Sequence, residues 1–184
     1  MTLLMYAAVA LLLVRLIVFV RLHQTARHVD VRRGTVSDYG TGPSRPAYTL
    51  MGVLSVLAYL LVLIGAAHTG VEPRWTLLVL AGAAVAQVAL MAFPTDLTGT
   101  TRTATGVVHW VLAIATFAGL FTFMTSVDTG SGLVEALTWV ARVAFYAFLA
   151  TLLPRLRGWI GLTERWWLTV VPVWFGCFAV VLAR

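Results

Sequence analysis

The feature that most constrains this chain is a series of six long apolar segments. They cover about Thr2–Val20, Ala47–Ala67, Trp75–Phe93, Thr103–Ser126, Leu133–Leu153 and Trp166–Ala183. An α-helix of about 20 apolar residues crosses the hydrocarbon core of a bilayer, and only helices or closed barrels satisfy their backbone groups there. The period of two that marks alternating strands is absent. The sequence therefore predicts an all-α, polytopic transmembrane helical bundle of six helices.

The composition agrees with a membrane protein and not with a soluble domain. Of the 184 residues, 60% are hydrophobic and 11% are charged, whereas soluble domains have about 45–50% apolar and about 25% charged residues. The polar stretches between the segments are too short to bury a hydrophobic core of their own. We therefore predict a single membrane domain over residues 1–184, with a polar, arginine-rich loop at 21–46.

The thirteen basic residues are all arginines, and they predict both a partner and an orientation. Most stand beside the apolar segments, which favours contacts with anionic lipid headgroups over nucleic acid. The loops 21–46, 94–105 and 154–165 hold nine of them, against two at the opposite face. Under the positive-inside rule these loops are cytoplasmic and both termini lie outside. Arg15 lies within the first segment, where we expect its side chain to extend to the headgroups.

Six antiparallel helices would bring several polar residues to one membrane face. The predicted polar site comprises Ser37, Asp38, Asp96, Arg102, His109, Glu164 and Arg165. Carboxylates beside an imidazole can bind a metal or perform acid–base chemistry, and they can equally cap helices or form ion pairs. The sequence has no His-x-x-x-His, His-Glu-x-x-His or cysteine cluster. We predict no metal site and no cofactor.

A second set of polar residues lies inside the apolar segments. This predicted intramembrane polar face comprises Gln87, Glu135, Thr138, Arg142 and Tyr146. The last four are spaced by three or four residues along segment five, which places them on one side of a helix. An unpaired arginine near a helix centre costs about 2.5–3.5 kcal/mol, so Arg142 needs a partner. Candidates are Gln87, Tyr59, a backbone carbonyl of another helix or an anionic headgroup.

Three short motifs resemble a known family. They are Ser37-Asp38-Tyr39-Gly40, Phe93-Pro94-Thr95-Asp96 followed by Gly106 and His109, and Gly161-Leu162-Thr163-Glu164-Arg165. Together they resemble the bacterial membrane family known as domain of unknown function 998, itself distantly similar to the Frag1/DRAM/Sfk1 group. The resemblance spans most of the chain and implies six helices and no established activity. It also implies a shared feature formed by Ser37, Asp38, Pro94, Asp96, His109, Glu164 and Arg165.

The sequence favours a function without catalysis. The chain is small and has no recognisable catalytic spacing, which fits an accessory or assembly subunit that packs against other membrane proteins or lipids. The alternative is a membrane enzyme or carrier for an anionic lipid or isoprenoid, with Asp96, Arg102 and His109 at the surface and Arg142 deeper. A small transporter is a third hypothesis.

Overall fold

The computed structural model describes residues 1–98 and 100–184, and within them the chain forms six long helices and no strand. The helices are α1 (Thr2–Thr25), α2 (Arg45–Thr69), α3 (Trp75–Ala92), α4 (Ala104–Ser126), α5 (Gly132–Ala150) and α6 (Ile160–Leu182). Short 3-10 turns occupy Val36–Gly40, Gly42–Ser44 and Arg157–Trp159. Each long helix is apolar and long enough to cross a membrane. The predicted all-α fold class is confirmed.

Several helix ends differ from the prediction, and the earlier start of α6 affects the polar site. Helix α1 continues to Thr25, and α6 begins at Ile160 and not at Trp166. A helix can extend beyond its apolar run when its polar residues find partners in neighbouring loops. Glu164 and Arg165 consequently belong to the start of α6 and not to a loop.

Helices adjacent in sequence pack together, and α6 returns to contact α1 and α2. Helices α2 and α6 are therefore the most enclosed of the six. Phe175 of α6 stacks on Phe123 of α4, with 5.7 Å between the ring centroids. Helices α3 and α4 approach closely at Gly119, where a β-carbon would lie 2.9 Å from that of Ala83. Small residues allow such an approach between membrane helices.

A proline inside α6 explains the position of Arg15. Pro172 has no N–H to donate to the carbonyl of Leu168 one turn earlier. Nη1 of Arg15 donates to that carbonyl oxygen at 2.7 Å. The Arg15 residue is only 3% exposed, so the expectation that it reaches the headgroups is wrong. An unpaired carbonyl costs several kcal/mol in a membrane interior. The Arg15 side chain therefore points into the bundle, because there it donates to the Leu168 carbonyl.

Candidate functional site at the loop end of the bundle

The first loop is bound to the start of α6 by an arginine. Nη1 of Arg165 donates to the carbonyl oxygens of Val31 at 3.0 Å and Gly34 at 2.8 Å. Its Nη2 donates to the Tyr39 hydroxyl at 3.0 Å. Gly161 lies one turn earlier, where a β-carbon would lie 2.6 Å from the Val31 oxygen. Because Gly161 has no side chain, the backbone of the first loop can approach α6 closely, and Arg165 donates hydrogen bonds to the carbonyl oxygens of that backbone.

Two buried carboxylates extend these contacts. Oε2 of Glu164 accepts the backbone N–H of Val36 at 2.7 Å. Oδ2 of Asp38 accepts the N–H of Thr35 at 3.0 Å and the hydroxyl of Thr98 at 2.8 Å. The Thr98 N–H donates to Oδ1 of Asp38 at 3.2 Å. The structure thus joins the first loop both to α6 and to the loop that follows α3. We call Gly161, Glu164 and Arg165 the loop anchor.

Asp96 has a separate, local role at the start of α4. Its two carboxylate oxygens accept the N–H and the hydroxyl of Thr103, each at 2.8 Å. Thr103 is the N-cap of α4, and its hydroxyl oxygen accepts the Gly106 N–H at 3.1 Å. A β-carbon at Gly106 would collide with the Asp96 carboxylate. Asp96 and Gly106 therefore fix how the chain enters α4.

The remaining predicted site residues do not form one cluster. Arg102 is exposed and lies over the ring of Trp110, 5.4 Å from its centroid. The Ser37 hydroxyl bonds to that of Thr35 at 2.9 Å. His109 is buried, and its Nδ1 lies 2.8 Å from the carbonyl oxygen of Phe93.

One exposed carboxylate stabilises the turn that opens the first loop. Oδ1 of Asp30 accepts the backbone N–H groups of Arg32 at 2.8 Å and Arg33 at 3.1 Å. These hydrogen bonds favour the charged carboxylate and hold the pKa of Asp30 below its ordinary value. This contact shapes the loop and involves none of the predicted site residues.

A cavity of about 60 Å³ lies beneath the loop anchor, inside the bundle. Every long helix except α5 contributes to its polar lining, which comprises Arg15, Tyr48, Ser55, Tyr59, Gln87, His109 and Glu164 together with Ser37 of the first loop. We call this the polar cavity. A smaller cavity of about 20 Å³ shares His109 and Tyr48 with it and is also lined by Arg45 and Thr95.

Sequence reasoning did not predict the polar cavity, because it assigned Arg15 to the headgroups. One signal could have indicated it. A proline within segment six leaves a carbonyl without a donor, and a lone arginine in segment one can supply the missing hydrogen bond.

The structure also separates the residues of the predicted intramembrane face. Thr138 turns towards α6, where its hydroxyl oxygen accepts the indole N–H of Trp174 at 2.8 Å. Glu135 is exposed, and Tyr146 is 58% exposed on the outside of the bundle. Gln87 lines the polar cavity instead. Of the predicted intramembrane face, Glu135 and Tyr146 thus lie on the outside of the bundle, whereas Thr138 and Gln87 face its interior.

Arg142 remains at the outer surface of α5. Its guanidinium lies over the ring of Trp139, 4.5 Å from the centroid, and the residue is half-buried. Two of the partners proposed for it, Gln87 and Tyr59, line the polar cavity with Arg15. Within the described residues, no carboxylate oxygen lies within 4.0 Å of Arg142.

In the described part of the chain, no three side chains of His, Cys, Asp or Glu lie close enough to hold a metal ion. At the loop end, the contacts described above are hydrogen bonds and interactions between charged groups. The loop anchor bonds mainly to backbone atoms of the first loop. In the polar cavity, Nε of Arg15 and Nε2 of His109 are buried without a hydrogen-bond partner among the described residues.

Six membrane-length helices define a multi-pass membrane protein of the all-helical class. A family model described as "Protein of unknown function (DUF998)" matches residues 5–181. The chain belongs to this family, as the resemblance of its motifs indicated. Comparisons with curated proteins and with solved structures gave no match.

Proposed function

We propose that this DUF998 protein is a non-enzymatic accessory or assembly subunit that binds another integral membrane protein through the outer face of α5. We define the α5 face as Glu135, Trp139, Arg142 and Tyr146, which are spaced by four, three and four residues. The observation that supports the proposal is Arg142, which lies midway along α5 at the outer surface without a carboxylate partner in the described residues.

An arginine at this depth is costly when it faces lipid. The cost is about 2.5–3.5 kcal/mol at a helix centre, and stacking on Trp139 returns roughly 0.5–2 kcal/mol. A partner helix with an Asp or Glu at the same depth would offset the rest of this free-energy cost through a charge-assisted hydrogen bond to Arg142. Arginine, tryptophan and tyrosine are also the residues that dominate the binding energy of protein interfaces. The α5 face contains all three.

The chemistry of the α5 face favours a different protein over a second copy of this chain. Copies related by a two-fold axis along the membrane normal would place their Arg142 residues at the same depth. The two guanidinium groups would then repel each other. We therefore propose a partner whose transmembrane helix carries a carboxylate near the bilayer midplane.

Site-specific photocrosslinking in host membranes tests this interface. A photoreactive amino acid at Val143, which is 56% exposed on α5, is expected to crosslink one partner protein. The crosslinked helix should contain an Asp or Glu near its centre. Arg142→Leu is expected to reduce the yield at least about tenfold, because removing one member of a buried charge pair costs about 2–5 kcal/mol.

Val85 provides the matched control, because it is 69% exposed on the outside of α3 and outside the proposed interface. We expect no such product from this position. The same products from both positions, or an unchanged yield in Arg142→Leu, would rule out the α5 interface. A crosslink to a second copy of the chain would replace the proposed partner with a homo-oligomer.

We further propose that the protein lies in the bacterial plasma membrane with both termini outside. The support is the excess of arginines in loops 21–46, 94–105 and 154–165. In a Cys177→Ala background, a membrane-impermeant maleimide should label Asp128→Cys in intact cells. Arg33→Cys should react only after permeabilisation. Both positions are exposed, so the reverse pattern would establish the opposite orientation.

A further inference from the structure

We infer that the polar cavity binds a phosphate group, either as free phosphate or as the phosphomonoester headgroup of a lipid such as phosphatidic acid. The inference is independent of the α5 face, because α5 contributes no residue to the cavity lining. It rests on the charge, the free hydrogen-bonding atoms and the position of the cavity.

The first argument is the charge of Arg15. Its guanidinium uses Nη1 to donate to the Leu168 carbonyl, whereas its Nε is buried without a hydrogen-bond partner in the described residues. Among the described residues, no carboxylate oxygen lies within 4.0 Å of the Arg15 guanidinium. A guanidinium buried in a membrane domain strongly favours an anion beside it, and its geometry suits phosphate oxygens.

The second argument is the bonding of His109. Its Nδ1 faces the Phe93 carbonyl at 2.8 Å, and a carbonyl can only accept, so the proton of the neutral imidazole is assigned to Nδ1. Nε2 then carries a lone pair, and it is buried without a partner among the described residues. A singly protonated phosphate provides both an O–H for this lone pair and an anionic oxygen for Arg15. A chloride ion would not satisfy His109.

The remaining lining groups complete a site of suitable size. The Gln87 amide has no hydrogen bond to the described residues, and Ser55 and Tyr59 place hydroxyl-bearing side chains around the same space. Among the described residues, Glu164 is the one carboxylate in the lining, and its Oε2 accepts the Val36 N–H. A cavity needs about 10–15 Å³ to hold one water, so 60 Å³ is enough for a group of several heavy atoms.

The smaller cavity provides a polar approach from the loop end. It shares Tyr48 and His109 with the polar cavity and is also lined by Arg45, which is exposed at the start of α2. An anion approaching from the headgroup level would meet Arg45 first, then His109, and finally Arg15. This sequence of cationic and polar groups favours movement of an anion into the bundle.

Binding measurements on the purified full-length chain test the inference. The probes are inorganic phosphate, measured by titration calorimetry, and nanodiscs of phosphatidylcholine with or without phosphatidic acid, from which bound lipid is quantified. Wild type is expected to bind at least one probe. Gln87→Leu is expected to weaken binding about threefold to tenfold, because it removes one donor and breaks no hydrogen bond among the described residues.

A variant that removes the charge of Arg15 must also supply a new hydrogen-bond donor for the Leu168 carbonyl. Arg15→Met combined with Pro172→Ala restores an N–H for the Leu168 carbonyl, so the fold keeps that hydrogen bond. This double variant should lose at least about tenfold in affinity, which corresponds to about 1.4 kcal/mol. Arg33→Met is the control for general attraction to anionic surfaces, because Arg33 is exposed at the same end of the bundle. Its affinity should stay within about twofold of wild type.

The outcomes separate the two sources of phosphate. Binding of phosphatidic acid without competition by inorganic phosphate would identify a lipid headgroup, whereas direct binding of inorganic phosphate would identify a site for the free ion. Three results would overturn the inference: no binding of either probe, equal binding by wild type and the Arg15→Met/Pro172→Ala variant, or an equal loss in Arg33→Met.

Discussion

Replacing Arg165 with leucine is expected to lower the thermal unfolding midpoint by on the order of 10 °C. The change removes the guanidinium that donates to the carbonyls of Val31 and Gly34 and to the Tyr39 hydroxyl. Leaving such buried groups unpaired costs about 3–5 kcal/mol, and each kcal/mol corresponds to about 2–4 °C in a domain of this size. The midpoint can be followed by tryptophan fluorescence in a mild detergent.

Arg155→Leu is the matched control for this experiment. Arg155 is exposed at the same end of the bundle, so its replacement should change stability by no more than about 0.5 kcal/mol. Arg165→Lys should lie closer to Arg165→Leu than to wild type, because an ammonium cannot reproduce the fork of a guanidinium. Equal midpoints for Arg165→Leu and Arg155→Leu would show that the loop anchor does not hold the first loop.

The second large effect is an energetic coupling between Arg15 and Pro172. Arg15→Met is expected to destabilise the protein by about 2–3 kcal/mol, since the Leu168 carbonyl loses its donor. In a Pro172→Ala background the backbone N–H of residue 172 can bond to that carbonyl. The cost of Arg15→Met should then fall by at least about 1 kcal/mol. A double-mutant cycle on the unfolding midpoint measures this difference directly.

The cycle also removes a complication that a single substitution cannot avoid. Arg15→Met also removes the free-energy cost of burying a charge, which offsets part of the stability lost with the hydrogen bond. This contribution is the same in the wild-type and Pro172→Ala backgrounds, so it cancels in the cycle. A second cycle with Val173→Ala is the control, because Val173 follows the proline and does not alter the Leu168 carbonyl. That pair should be additive within about 0.5 kcal/mol. Additivity of Arg15→Met with Pro172→Ala would contradict the assigned hydrogen bond.

The number and type of the helices could be predicted because runs of about 20 apolar residues have one stable form in a bilayer. Some of the helix ends could not. Ile160 starts α6 well before the apolar run, and Thr25 ends α1 well after it. In each case the additional turns carry residues that pack on the first loop, such as Leu22 and Glu164. These tertiary contacts leave no periodic signal in either segment.

The candidate site was predictable in part, for a similar reason. The turn residues and the even helix number placed Asp38, Glu164 and Arg165 at one end. Their actual partners are largely backbone atoms, among them the Val36 N–H and the Gly34 carbonyl. Every residue has such atoms, so side-chain identity alone does not reveal which backbone group a carboxylate or guanidinium will meet.

The two intramembrane arginines show the limits of reasoning from one helix at a time. From their depth in the segments, Arg15 was expected to extend to the headgroups, and Arg142 was expected to bond to another helix of the bundle or to an anionic headgroup. Arg15 is instead turned inward by the free carbonyl on α6, and Arg142 is left on the outer surface of α5 beside Trp139. Both outcomes depend on how neighbouring helices are rotated, which the spacing within a segment does not determine.

Native mass spectrometry of the protein extracted from its host in a mild detergent tests the proposed function most directly. We predict a complex of the 20.0 kDa chain with a stoichiometric, different membrane protein. The complex should be lost in Arg142→Leu and kept in the exposed control Arg33→Leu. A lone 20.0 kDa chain, or a multiple of it in wild type and Arg142→Leu alike, would contradict the proposal of an accessory subunit bound through α5.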